Sequence, residues 1–408
     1  MKRLVGRIGD IGPGLVMAAT GLGAGDMIVA SVAGARYGTA LLWAAVLGAM
    51  MKYVMNEGLA RWQLATGTTL LEGWVNRLPV FFSLYFFIYL LLWTFIVAAA
   101  LIAACGLAAN AVVPSLSVEA WGIIHSLLAL VLVMSGRYAL LERLMKIFMA
   151  LMMLVVIICA FLVIPEMEGL LDGLLRPSIP DGSALFIFGV IGGVGGSVTL
   201  LCYGYWIRER NWISRQDLTR SRTDLAVAYI LTGLFGMAIM IVSAGVSPEQ
   251  ATGPHMVLGV AQRLELVVGP VGMSFFLVGF WCAVFSSMLG VWQGVPYLFA
   301  DFVHQYTSQK YTPQEVDTRS MEYRAYLIYI AIPPMALLLA HEPVWLVIIY
   351  AVAGAFFMPL LGIVLLFLNN RRQWLGDLRN GILTNLLLLA SVLVFVLVMY
   401  DKIAKQFS

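Results

Sequence analysis

Charge is what this chain has least of. Of its 408 residues only 12% are Asp, Glu, Lys or Arg, against roughly 25% in soluble domains, while 61% are hydrophobic. An ordinary soluble globule and a nucleic-acid binder are thereby set aside. The net charge of +3 carries little, because the basic residues are sorted by loop. Cysteine is scarce: Cys105, Cys159, Cys202 and Cys282 all lie in apolar stretches, with no CxxC spacing and no His pair nearby. Disulfides and a zinc site are not expected; the four read as small packing residues. No Ser/His/Asp set, HExxH or Walker loop occurs, and the glycine runs do not follow a strand. Neither an enzyme nor a bound cofactor is expected. No cleavable leader is expected either, since Met1 to Asp10 is short and basic and the next apolar stretch lacks a small-residue cleavage site.

What is present is a series of apolar runs near the roughly 20 residues a bilayer needs. Eleven segments are expected to span it: 12–35, 40–63, 81–110, 119–136, 141–164, 184–208, 223–245, 269–298, 322–340, 344–368 and 380–400. They make one transmembrane domain over residues 1–408, an all-α integral membrane protein, monomeric in the lipid bilayer. Lys and Arg gather at the N-terminus (Lys2, Arg3, Arg7) and after segments 4 (Arg137, Arg143, Lys146), 6 (Arg208 to Arg222) and 10 (Arg371, Arg372, Arg379). The connections around Pro114 and Pro343 have none. The positive-inside rule then puts the N-terminus in the cytoplasm of an inner (cell) membrane and the C-terminus outside. The stretch from Asp301 to Asp317 and Thr318 reads as a solvated loop.

Two segments are interrupted at matching places. Segment 1 contains Thr20-Gly21-Leu22-Gly23-Ala24-Gly25-Asp26, and segment 6 contains Gly192-Gly193-Val194-Gly195-Gly196-Ser197-Val198-Thr199. Non-helical backbone survives at membrane depth only where it is buried in protein or lines a cavity. Paired interruptions in two halves point to the substrate site of a secondary transporter. Glycine can also serve close helix packing, but the run Gly23 to Asp26 exceeds one such contact. Breaks are expected at Leu22–Gly25 and Val194–Ser197, facing each other. The implied architecture is a LeuT-type five-plus-five inverted repeat with broken helices 1 and 6: residues 1–165, residues 184–368, and an extra helix at 380–400.

Gly12-Pro13-Gly14, the break, Ala33-Gly34-Ala35-Arg36-Tyr37-Gly38, Leu41-Leu42-Trp43, and Arg61 with Ala65-Thr66-Gly67 together resemble the opening of the NRAMP family of divalent-metal transporters. The match runs ungapped over the first part of the chain, resumes weakly from Gly136 to Lys146 and through segment 6, and is one of hydropathy alone thereafter. The resemblance implies a LeuT-type fold and proton-coupled manganese and ferrous iron uptake. It also shows departures. Where the family has D-P-G-N, this chain has Gly23, Ala24, Gly25 and Asp26; where it has M-P-H, this chain has Gly196, Ser197 and Val198. Two ligating carbonyls of the family fall at Thr20 and Gly193. Acids on the family's third segment have no counterpart between Phe81 and Ala104.

Asp26 is the sole acid near either break, a cation ligand or an N-cap. With Thr20 and Gly193 it forms the candidate metal set. The wider substrate set adds Gly23, Gly25, Gly196, Ser197, Thr199 and Tyr203. Without sulfur the pocket offers oxygen, which suits a hard or partly hydrated cation such as Mg2+ or Mn2+. Lys52, mid-segment, needs a partner: Asp26 or Glu57. If it pairs with Asp26 the cargo need not be a cation, and a small polar organic solute or an anion becomes the alternative. Glu57 with Arg61 reads as an i,i+4 structural pair rather than a gate. His125 reads as packing ahead of proton relay, and Ser286, Ser287 and Gln293 are open between an ion site and helix contacts. Gly354 and Pro359 are expected to bend segment 10. The coupling ion, H+ or Na+, stays open.

Overall fold

The structure, a computed structural model, describes residues 11–163, 169–193, 196–246, 255–307, 317–339, 354 and 357–407. Among these every element is helical. Four described helices are each long and apolar enough to cross a membrane, Val80–Val112, Tyr138–Val163, Arg215–Ser243 and Pro270–Thr307; a bent pair, Arg372–Leu378 with Ile382–Val394, adds a fifth. Leu42–Thr66 is a continuous helix of 25 residues on expected segment 2. Three helices fall between expected segments: Leu70–Arg77, Leu170–Leu175 and His255–Val268.

The molecule is apolar outside as well as inside. Along Val80–Val112, Phe81, Leu84, Ile88 and Leu92 are exposed at helical spacing, whereas Ala98 to Ala104 are buried. A helix hydrophobic on all faces belongs in lipid, where its small residues face protein and its large ones face acyl chains. Segment 8, Pro270–Thr307, is the central helix. It is buried from Cys282 to Leu298 and packs on segments 1, 3, 4 and 5. It runs past the expected end and carries Asp301, which is 2% exposed rather than part of a solvated loop. Thr69 Oγ1 and Tyr205 Oη donate to its Oδ2 at 2.9 and 2.5 Å, which replaces the water it loses. Residues 308–316 of the same expected loop lie outside the described residues.

Other boundaries follow local chemistry. Thr69 and Glu72 form a capping box at the start of Leu70–Arg77. In segment 9 the α-helix stops at Ala331, and Pro333 opens a 3-10 stretch to Leu339, because proline removes a donor and crowds the preceding turn. Pro359 sits in the first turn of Phe357–Asn369. Gly354 is helical as well, and residues 355 and 356 between them, on which the expected bend depends, lie outside the described residues. All four cysteines are free and buried.

Basic loops and buried acids meet at one end of the bundle. Glu57 pairs with Arg61 at 3.2 Å and Arg222 at 2.8 Å, Glu72 with Arg208 at 3.3 Å, and Glu142 with Lys146 at 2.6 Å and with Arg210. At the other end of segment 1 lies a cavity of about 690 Å³, lined by Tyr37, Thr39, Asp172, Arg176 and Arg263 among others.

Candidate functional site

Segment 1 is built from two helices, Pro13–Gly21 and Ala24–Tyr37. Only Leu22 and Gly23 between them are non-helical. Leu22 N still donates to Ala18 O at 2.8 Å, and Met27 N to Gly23 O at 3.2 Å. The break is thus shorter than Leu22–Gly25: Gly25 is already helical, and small residues do not prevent a helix when tertiary packing supports it. Asp26 is the third residue of the second helix, in its first turn, so it is not the cap. There an acid suits the helix dipole; its side chain lies outside the description, and with it the expected contact to Lys52.

Segment 6 opens more widely. An α-helix covers Ala184–Gly193, residues 194 and 195 lie outside the described residues, Gly196 and Ser197 are non-helical, and a 3-10 turn over Val198–Cys202 leads into Tyr203–Glu209. Gly196 holds φ +86°, a region open to glycine at no steric cost. Its missing Cβ would stand 2.5 Å from Thr199 Oγ1, 3.1 Å from Met17 Cε and 3.5 Å from Gly21 Cα. The break of segment 6 therefore lies against the end of the first half of segment 1.

The carbonyls exposed by these breaks are met by the chain's own donors. Ser287 Oγ donates to Thr20 O at 2.7 Å, and Ser286 Oγ reaches Ala19 O at 3.5 Å. Thr20 Oγ1 donates back to Val16 O at 2.7 Å. Lys52 Nζ donates to Gly192 O at 2.5 Å and to Gly196 O. Two buried polar atoms near the second break have no hydrogen-bond partner, Ser197 Oγ and Trp93 Nε1. They stand 3.1 and 3.9 Å from where a Cβ of Gly354 would be. Among the described residues no three His, Cys, Asp or Glu side chains gather as a metal cluster.

Other expected residues sit elsewhere. Tyr203 is committed to Asp224 Oδ2 at 3.0 Å and Ser221 Oγ at 3.1 Å, not left to line the break. Gln293 accepts from Trp206 Nε1 at 2.5 Å and donates to Tyr297 Oη at 3.3 Å, a helix contact. Glu57 and Arg61 join the ion pairs of the basic end. His125 donates from Nδ1 to Trp121 O at 2.7 Å and accepts at Nε2 from Trp281 at 2.8 Å, so both ring nitrogens are used. Replacing it by Phe should cost about 1–3 kcal/mol through the orphaned indole N–H while leaving cargo uptake per folded molecule unchanged; a fall in uptake at equal folded yield would contradict this packing role.

Asp224 had no sequence signal beyond an acid at the edge of an apolar run. Its carboxylate accepts from Gly12 N at 2.9 Å and Gly14 N at 2.6 Å, closing the N-terminus of Pro13–Gly21 from another helix. Gly14 permits this approach, since its Cβ would lie 2.6 Å from Asp224 O. Pro13 occupies the first helical turn, where no donor is lost. That is the physical content of Gly12-Pro13-Gly14.

The fold recurs in solved transporters. A mutant of the Eremococcus coleocola manganese transporter matches with TM-score 0.75 and 15% identity over 97% of this chain and 87% of that one. MhsT in complex with L-phenylalanine matches with TM-score 0.64 and 17% identity over 95% and 97%. Mhp1, a nucleobase-cation-symport-1 family transporter, matches with TM-score 0.60 and 13% identity over 97% and 93%. In sequence, the chain is 28% identical over 306 residues to the divalent metal cation transporter MntH of Chromohalobacter salexigens, covering 68% of each. It is 23% identical over 275 residues to an uncharacterised protein of Pasteurella multocida and spans 62% of that relative's length. The family model for natural resistance-associated macrophage protein-like (Nramp) proteins matches residues 14–404. A multi-pass, all-helical chain with a LeuT-type arrangement and this match belongs to the Nramp family of secondary transporters, which are not enzymes.

Proposed function

We propose that the chain is a secondary-active, alternating-access carrier of a hard or partly hydrated divalent cation, such as Mg2+ or Mn2+, bound where the breaks of segments 1 and 6 meet. The observation that carries this is the set of oxygens beside Gly196, the hydroxyls of Ser197 and Thr199 and the break carbonyls, with no sulfur at the motif positions themselves; Met17 reaches the Gly196 position with its terminal methyl. Hard cations prefer such ligands. The names of the Chromohalobacter and Eremococcus proteins support a divalent cation. Asp26, Thr20 and Gly193 are the proposed metal ligands. Eleven spans, a cytoplasmic N-terminus, a monomer, and coupling to H+ or Na+ complete the proposal.

A second reading is favoured by a specific observation. The ammonium of Lys52 and the unpartnered N–H of Trp93 present donors near the same break. Donors suit a small polar organic solute or an anion bearing acceptors better than a bare dication. One proteoliposome panel separates the readings: uptake of Mg2+, Mn2+ and Cd2+ alongside small organic carboxylates. The cation reading expects saturable Mg2+ or Mn2+ uptake with no preference for Cd2+. Strong, saturable Cd2+ transport would contradict the hard-cation site, and carboxylate uptake without metal uptake would install the second reading.

A further inference from the structure

Lys52 is 1% exposed in the middle of segment 2. A buried ammonium is costly unless its donors are met. Here the carbonyls of Gly192 and Gly196 meet two of them. Those carbonyls are available because Gly196 and Ser197 are non-helical, so the amide four residues past Gly192 is not in helical register. Gly48 sets the reach. It lies one turn before Lys52, and its Cβ would stand 2.9 Å from Ile191 Cα, so segment 2 touches segment 6 just ahead of the break. The two bonded carbonyls flank Gly193, the segment 6 carbonyl proposed for cargo. The chain thus carries a covalently held cation at the place where a cargo cation would be coordinated.

We propose that Lys52 is a tethered cation that competes with cargo for the break of segment 6 and thereby sets the charge the site accepts. The proposal rests on the reading of the two breaks as the cargo site. A dication reaches the carbonyls only after the ammonium has left them, and it then meets a like charge one side chain away. The unpartnered Trp93 Nε1 and Ser197 Oγ fit the same picture, since they are groups to which an acceptor on the cargo can bind while Lys52 stays in place.

The test is Mn2+ binding to the full chain in lipid nanodiscs, by titration calorimetry, for the wild type and for Lys52→Gln, Lys52→Met and Lys52→Arg. Lys52→Gln keeps N–H donors for the two carbonyls without the charge, so it is the variant best placed to fold. It should bind Mn2+ about tenfold tighter than the wild type, or more, as removal of a close like charge predicts. Lys52→Met should do the same, and Lys52→Arg should not. Neutral variants that fold and bind no tighter than the wild type overturn the proposal. So does a loss of fold in both neutral variants with Lys52→Arg intact, because the charge then serves folding and not selection. Failure of the cation reading looks different. If the wild type takes up no Mn2+ and Lys52→Gln gains binding, the native cargo is not a dication and the role of Lys52 stands. If the wild type transports Mn2+ and both neutral variants bind no tighter, the cation reading stands and the role of Lys52 falls. If neither binds Mn2+, both fall.

Discussion

Asp224→Ala should lower stability by about 3–5 kcal/mol, the cost of stripping a buried polar network of its acceptor. The amides of Gly12 and Gly14 lose their acceptor at once, and the hydroxyl of Tyr203 is left with Ser221 alone. The two amides are the first donors of Pro13–Gly21, which have no acceptor inside their own helix. The loss falls where segments 1, 6 and 7 meet, so the basic end should loosen as well as weaken. Cys202, fully buried beside Tyr203, reports on this. A membrane-permeant maleimide should label it slowly in the wild type and much faster in Asp224→Ala. Asp224→Asn keeps one acceptor oxygen and should fall between. Unchanged thermal unfolding and unchanged labelling in the Ala variant would show that Pro13–Gly21 is held by other contacts.

Gly196→Met should not convert the site to one for soft metals, although the family signature has methionine at that place. A side chain at φ +86° costs about 1–2 kcal/mol. The new Cβ would also overlap Thr199 Oγ1 at 2.5 Å, and forced overlap adds about 1–3 kcal/mol. Gly23→Asp meets a similar obstacle in Ser287 Oγ, 2.6 Å from its Cβ position. Each single variant is therefore expected to lose yield and thermal stability with no gain in Cd2+ binding. A graft with Thr199→Ala and Ser287→Ala added should recover folding and is the variant in which Cd2+ binding is worth measuring. A Gly196→Met protein as stable as the wild type would mean that the backbone relaxes out of the left-handed region.

The two interruptions were legible because glycine clusters inside apolar runs are rare without a backbone reason. Their lengths were not. Ala24 and Gly25 read as part of the break, yet neighbouring helices hold both in a helix, and packing of that kind leaves no local trace. Lys52 stood out as a charge in an apolar segment, whereas its partners did not. Two of them are the backbone carbonyls of Gly192 and Gly196, and a carbonyl has no letter in a sequence. Asp224 and Asp301 were passed over for the opposite reason. Each sits at the edge of an apolar run near basic or polar residues, as a solvated boundary residue would, and only the structure shows Gly12, Gly14, Thr69 and Tyr205 brought to them.

The two breaks differ mechanically. Segment 1 is interrupted by two residues and nearly bridged by its own backbone hydrogen bonds, so it acts as a rod with one joint. Segment 6 holds five residues, Val198 to Cys202, in a 3-10 turn. A 3-10 residue rises about 2.0 Å and an α-helical one about 1.5 Å. Rewinding that turn into the α-helix that follows it would shorten the segment by roughly 2.5 Å, drawing Gly196 and the Lys52 ammonium bonded to it toward the basic end. Segment 6 is in this sense a telescoping strut, with its stroke stored next to Gly196.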